Sequence, residues 1–171
     1  MNEQYSIKKY TLTFKGKCDK EVSFSLIPND INSETESENQ NVVYIVFDRK
    51  SVVYVGEAKT SIKTRFLRGF ATYRSYKKGI QPKDGYKGYK WIELFEKDIK
   101  ELEIFVVLLK KFETEKENKY FRESVEGELC WLFRNHNEWP TYQNEIHFHN
   151  NLQARVLAID LFNKEFEGKL I

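Results

Sequence analysis

Residues 42–70 read VVYIVFDRKSVVYVGEAKTSIKTRFLRGF, and this stretch leaves the chain few choices. Two β-type runs, Val42–Phe47 and Val52–Gly56, are separated by Asp48-Arg49-Lys50-Ser51. A four-residue connection is too short for a crossover, so the runs must pair as an antiparallel hairpin. Thr60 or Ser61 then offers a side-chain oxygen to cap a helix, and Ile62, Phe66 and Phe70 follow at helical spacing. Tyr44 and Tyr54 occupy matching places in the two runs. Side chains alternate along a strand, so Tyr44 shares a face with Val42 and Val46.

Before this stretch, residues 5–16 and 21–27 are rich in β-branched and aromatic side chains around a turn-like GKCDK, and predict a hairpin. Residues 28–41 (PNDINSETESENQN) have almost nothing to bury and read as a polar linker. The expected division is therefore an N-terminal extension, residues 1–41, and a main domain, residues 42–171. After the first helix, residues 73–91 break the apolar pattern with glycines, a proline and alternating tyrosine and lysine, as a loop would. Trp91–Ile99 predicts a short helix, and Glu101–Lys110 a buried strand, a continuous apolar run bounded by charge. Residues 117–136 carry a helical stripe of Phe121, Val125, Leu129, Leu132 and Phe133, and Trp139-Pro140 ends that segment. Asn151–Phe166 predicts a closing helix. The expected architecture is a small α/β sandwich with a three-stranded, mostly antiparallel sheet flanked by helices, plus the N-terminal hairpin.

A chain of 171 residues, 40% hydrophobic and 15% aromatic, supports one ordinary domain with a real core. Cys18 and Cys130 are far apart and belong to no Cys/His cluster, which argues against a thiolate zinc site and for a reduced compartment. The N-terminus lacks a signal-peptide core and no run reaches membrane-spanning length, so a cytoplasmic location is expected.

The net charge of +2 hides an uneven distribution. Between residues 73 and 91, Arg74, Lys77, Lys78, Lys83, Lys87 and Lys90 face a single acid, Asp84, with Tyr76, Tyr86 and Tyr89 interleaved. Cations grip phosphates and aromatic rings stack on bases, so this pattern suits a nucleic-acid backbone. The helix at 117–136 offers Glu123, Glu126 and Glu128. At ~100° per residue Glu123 points away from the apolar stripe, toward solvent, while Glu126 and Glu128 flank it almost symmetrically. His147 and His149 alternate in an extended piece, and His136 reads as a helix-end residue.

Val42-Val43-Tyr44, Tyr54-Val55-Gly56, Arg65 and Glu126 together resemble the GIY-YIG nuclease family, over roughly Val42 to Asn150. YVGEA followed by a capped helix with Arg65 is similar to the nuclease domain of the bacterial excision-repair incision subunit. WPTYQNEIHF is similar to the closing segment of stand-alone bacterial members, restriction-type enzymes among them. Valines replace the first glycine and both isoleucines of the signature, and Gly69 stands where many members carry histidine or tyrosine. The resemblance implies a metal-dependent DNA endonuclease. In it Tyr44 holds or deprotonates the attacking water, Tyr54 shapes the site, Arg65 clamps a phosphate, and Glu126 binds one Mg²⁺ or Mn²⁺. The string Glu126-Gly127-Glu128-Leu129 matches the family's glutamate segment and selects Glu126 over Glu128. Lys59, Arg68, Tyr73, Lys77, Lys78, Lys87, Lys90 and Asn144 are the expected DNA contacts. Double-stranded DNA cut by a homodimer is the expected partner and assembly. A repair or mobile-element nuclease, and a binding module without cleavage, are the rival expectations. Phosphodiester hydrolysis demands roughly 20 kcal/mol of barrier lowering, so several groups on different elements must share the task.

Overall fold

The computed structural model describes residues 5–16, 22–29, 41–49, 51–82, 88–97 and 99–170. Five strands form a single sheet: β1 (Tyr5–Lys15), β2 (Ser23–Pro28), β3 (Val42–Asp48), β4 (Ser51–Ala58) and β5 (Glu101–Leu109). Their spatial order is β2-β1-β5-β3-β4, and each neighbouring pair is antiparallel. The expected three-stranded sheet is thus five-stranded. The N-terminal hairpin supplies the other two, because β1 pairs with β5 along nine residues, from Tyr5↔Leu109 to Thr13↔Glu101. Both long edges of β5 are hydrogen-bonded, which accounts for its uninterrupted apolar run.

Helices cover both faces. On one lie α1 (Ile62–Lys77) and a 3₁₀ helix, Lys90–Lys97, packed over Tyr44, Tyr54, Phe14 and Leu12. On the other lie α2 (Glu115–Asn135) and α3 (Leu152–Glu165), packed over Val43, Ile45, Phe47 and Phe105. Local chemistry sets the helix ends. Ser61 Oγ accepts from the Thr64 N–H at 3.3 Å to start α1. Thr114 and Glu117 form a reciprocal capping box on α2. Asn151 Oδ1 accepts from the Ala154 N–H at 3.0 Å to start α3.

Helix α1 runs one turn further than its apolar pattern predicts. Tyr73 continues the buried series Phe66 and Phe70, so residues 73–77 are helix and not loop. The stop comes at Gly79, whose φ of +84° admits the left-handed backbone that terminates a helix. Its N–H donates to the Tyr76 carbonyl at 2.8 Å.

Helices α2 and α3 run in the same direction: Glu128 meets Arg155 at one end, and Phe133 meets Phe162 further on. The extended segment 138–150 must therefore travel back along α2. On its way Thr141 and Tyr142 donate to the Val52 and Val53 carbonyls, covering the otherwise open edge of β4.

Candidate active site

Strand β4 is an edge strand between two helical layers, and α1, α2 and the returning segment all approach that edge. They enclose a cleft of about 260 Å³. Tyr54, Arg65 and Glu126 line it together, from β4, α1 and α2. Tyr44 lies buried just beneath, its hydroxyl accepting from Arg65 Nε at 3.4 Å. The four side chains predicted from the signature therefore meet at one place, although 82 positions separate the first from the last.

Register explains the paired phenols. Tyr44 sits opposite Gly56 and Val46 opposite Tyr54, so both tyrosines point to the α1 face, with ring centroids 6.0 Å apart. Gly56 is required by this packing. A Cβ there would lie 2.6 Å from Tyr44 Cζ, from its hydroxyl and from Tyr54 Cε1. Burial pushes the Tyr44 phenol above its ordinary pKa, and the Arg65 guanidinium acts against that rise.

Glu126 is the most perturbed acid of the cleft. Loss of water raises it to about 8, with the negative charge of Glu57 next in importance; a hydrogen bond from Gln143 and the charge of Arg65 act in the opposite direction. Gln143 Nε2 donates to Glu126 Oε1 at 3.1 Å and to the Glu145 carbonyl at 2.9 Å. Its Oε1 accepts from the Val55 N–H at 3.3 Å, between Tyr54 and Gly56. One amide thus ties the carboxylate of α2 to the β3–β4 hairpin. Glu128, the alternative on sequence, turns the other way and pairs with Arg155 at 2.9 Å between α2 and α3.

Glu123 differs from its sequence expectation. It is buried and faces the cleft, held by His149 at 2.8 Å and facing Lys119 at 3.6 Å. The returning segment covers a helix face that periodicity alone assigns to solvent. His147 lines the cleft beside it, while His149 leans on the Tyr120 ring. His136 forms the C-cap of α2.

The sequence gives no sign of a buried network behind the cleft. Arg122 donates to Glu57 at 2.6 Å, to Asn41 at 2.7 Å and to Glu115 at 3.0 Å. Asn41, at φ +61°, in turn donates to the Leu109 and Lys110 carbonyls. This network fixes Glu57 at the cleft wall and joins β3, β4 and α2. Arg122 carries no motif; Glu57 and Gln143 lie within the strings YVGEA and WPTYQNEIHF, but nothing in those strings marks them as site residues.

The expected DNA contacts are more dispersed. Asn144 lines the cleft, its amide donating to the Tyr142 carbonyl at 2.8 Å. Arg68, Lys78 and Lys59 are exposed, and Lys59 stands 3.9 Å from Glu115. Lys90 begins the 3₁₀ helix and is half-buried. Tyr73 is corrected: it is buried under α1, and its hydroxyl donates to Glu96 at 2.6 Å, so its ring cannot stack on a base. Lys77 pairs with the same Glu96 at 2.7 Å, and these two bonds, Lys77's first, hold that carboxylate below its usual range. Lys87 lies outside the described residues, as do Lys83, Asp84 and Tyr86.

Among the described residues, no three histidine, cysteine, aspartate or glutamate side chains are grouped to hold a metal ion. Glu57, Glu123, Glu126 and Glu145 nevertheless line the cleft against Arg65 and Lys119. Carboxylates in excess would repel a phosphodiester unless a further cation joined them. No family model matches this chain, and no curated protein or solved structure matches it either.

Proposed function

We propose that this protein is a metal-dependent DNA endonuclease with GIY-YIG chemistry. The observation that carries the reading is the meeting of Tyr44, Tyr54, Arg65 and Glu126 at one cleft. Arg65 presents a planar fork suited to two phosphate oxygens, and its charge would offset what builds on those oxygens in attack. Tyr44, bonded to that guanidinium, holds the attacking water in place as its oxygen bonds to phosphorus, and the water's proton passes to solvent. The bond to the 3′ oxygen breaks in line and that oxygen takes up a proton from water, leaving a 5′-phosphate and a 3′-hydroxyl. Tyr54 walls the cleft and donates to the substrate phosphate or the water.

Glu126 would hold a divalent cation, with waters completing the shell. A single hard carboxylate in an acid-rich cleft suits Mg²⁺ or Mn²⁺. Such an ion, when bound, offsets the developing charge on the phosphoryl and leaving oxygens. Gln143 keeps one Glu126 oxygen engaged and the carboxylate aimed. The partner is DNA, and a restriction-type or repair-type substrate fits the same site.

Nicking of supercoiled plasmid with Mg²⁺ or Mn²⁺ tests the reading, with linear, branched and single-stranded DNA as further substrates. Cleavage by the native chain, abolished by EDTA and lowered ~10³-fold or more in Glu126→Ala, is expected. Equal cleavage by both proteins would remove the assigned site. Binding without cleavage under every condition would leave a nucleic-acid-binding module.

A further inference from the structure

Helix α3 is apolar on both sides. Its inner face buries Ala154, Leu157, Ala158 and Leu161 against the core. Its outer face carries Leu152, Val156 and Ile159, one helical stripe, left 70%, 59% and 40% exposed. A surface helix with one buried face ordinarily presents polar residues on the other, and a helix that is apolar all round is normally buried all round. Two large exposed rings stand on the elements next to α3. Trp131 of α2, 53% exposed, lies one turn beyond Gly127 and next to Glu128, whose partner is Arg155 of α3. Phe148, 52% exposed, packs over Gly127, 3.2 Å from where a Cβ would stand.

We propose that this face is a homodimer interface, in which α3 packs against the α3 of a second copy about a two-fold axis. Area and charge favour a second copy over another partner. With side chains of ~150–250 Å² for the rings and somewhat less for the aliphatics, the five residues expose on the order of 500 Å² per copy. Two copies would cover on the order of 1,000 Å², where specific interfaces begin. The charges beside the stripe are neutralised within each copy: Arg155 by Glu128 and Lys164 by Asp160, both at 2.9 Å. Identical faces meeting across a two-fold axis therefore bring no unpaired like charges together. A foreign acidic or basic partner would find no complementary field there.

Analytical ultracentrifugation of the full chain over a concentration series tests the proposal. The native chain is expected to dimerise at micromolar concentration. Val156→Glu buries a charge at the seam and is expected to raise the dissociation constant ~100-fold or more. Leu152→Gln, a milder change on the same stripe, gives a smaller rise in the same direction. Leu67→Glu, on the exposed face of α1, leaves the dimer intact. Circular dichroism melts confirm that the variants stay folded. A native chain monomeric throughout the series overturns the proposal. So does a dimer that survives Val156→Glu, or one that Leu67→Glu alone dissolves.

Discussion

Replacing Glu126 with glutamine should stabilise this protein at alkaline pH. In the folded chain the Glu126 carboxyl is raised from the usual 4.5 to about 8. In the unfolded chain it titrates as an ordinary carboxyl. Between those two values the folded state holds a proton that the unfolded state has released, so stability falls as pH rises. The contribution is full below about pH 4.5 and gone above about pH 8. A window of about 3.5 pH units at ~1.4 kcal/mol each sets a ceiling near 5 kcal/mol. The carboxyl lies in a cleft open to water, which screens it, so about 2–3 kcal/mol is the expected loss. Glutamine keeps the shape and can still accept the hydrogen bond that Gln143 donates, but it never ionises. Urea denaturation at pH 5 and pH 9, in EDTA, measures the difference. The native chain is expected to lose about 2–3 kcal/mol more than Glu126→Gln across that interval, and adding Mg²⁺ is expected to narrow the gap. Parallel pH dependences for the two proteins would refute the buried-carboxylate reasoning.

Two further substitutions probe the surrounding packing. Gly56→Ala forces a methyl to within 2.6 Å of both tyrosine rings, and should cost about 1–3 kcal/mol and displace Tyr44 from Arg65. An unchanged melting temperature together with native nicking would contradict the close packing. Arg122→Ala removes a buried cation that serves Glu57, Asn41 and Glu115, and should cost about 3 kcal/mol in urea denaturation. Arg122→Lys, lacking the fork, should recover less than half of it, and a loss below about 1 kcal/mol for the alanine variant would show the network to be dispensable.

The local patterns of the chain carried most of its elements. Alternation and apolar runs marked β3, β4 and β5 to within one or two residues, and the stripe from Phe121 to Phe133 marked α2. The shared face of the two tyrosines does not follow from period and turn length: an unbroken register from Asp48↔Ser51 would set them on opposite faces, and the register shift between Val46 and Phe47 brings them to one. The end of α1 was missed because Tyr73 reads equally well as the last buried residue of a helix or the first ring of a loop. Packing under α1 resolved it, and only Gly79 closes the helix.

Sequence by itself determined which residues form the hairpin, which helices follow it and which acids α2 offers. Tertiary structure alone decided the strand order, the burial of Glu123, and the directions in which Glu126 and Glu128 turn, one to the cleft and the other to Arg155. The reason is physical. Hairpins and helices depend on neighbours within a few residues, whose spacing is written in the chain. Insertion of β1 beside β5, the return of segment 138–150 across α2, and the capture of Glu128 by Arg155 join residues 17 to over 100 positions apart. No local period encodes such partners, and the cleft exists only where those long-range contacts close.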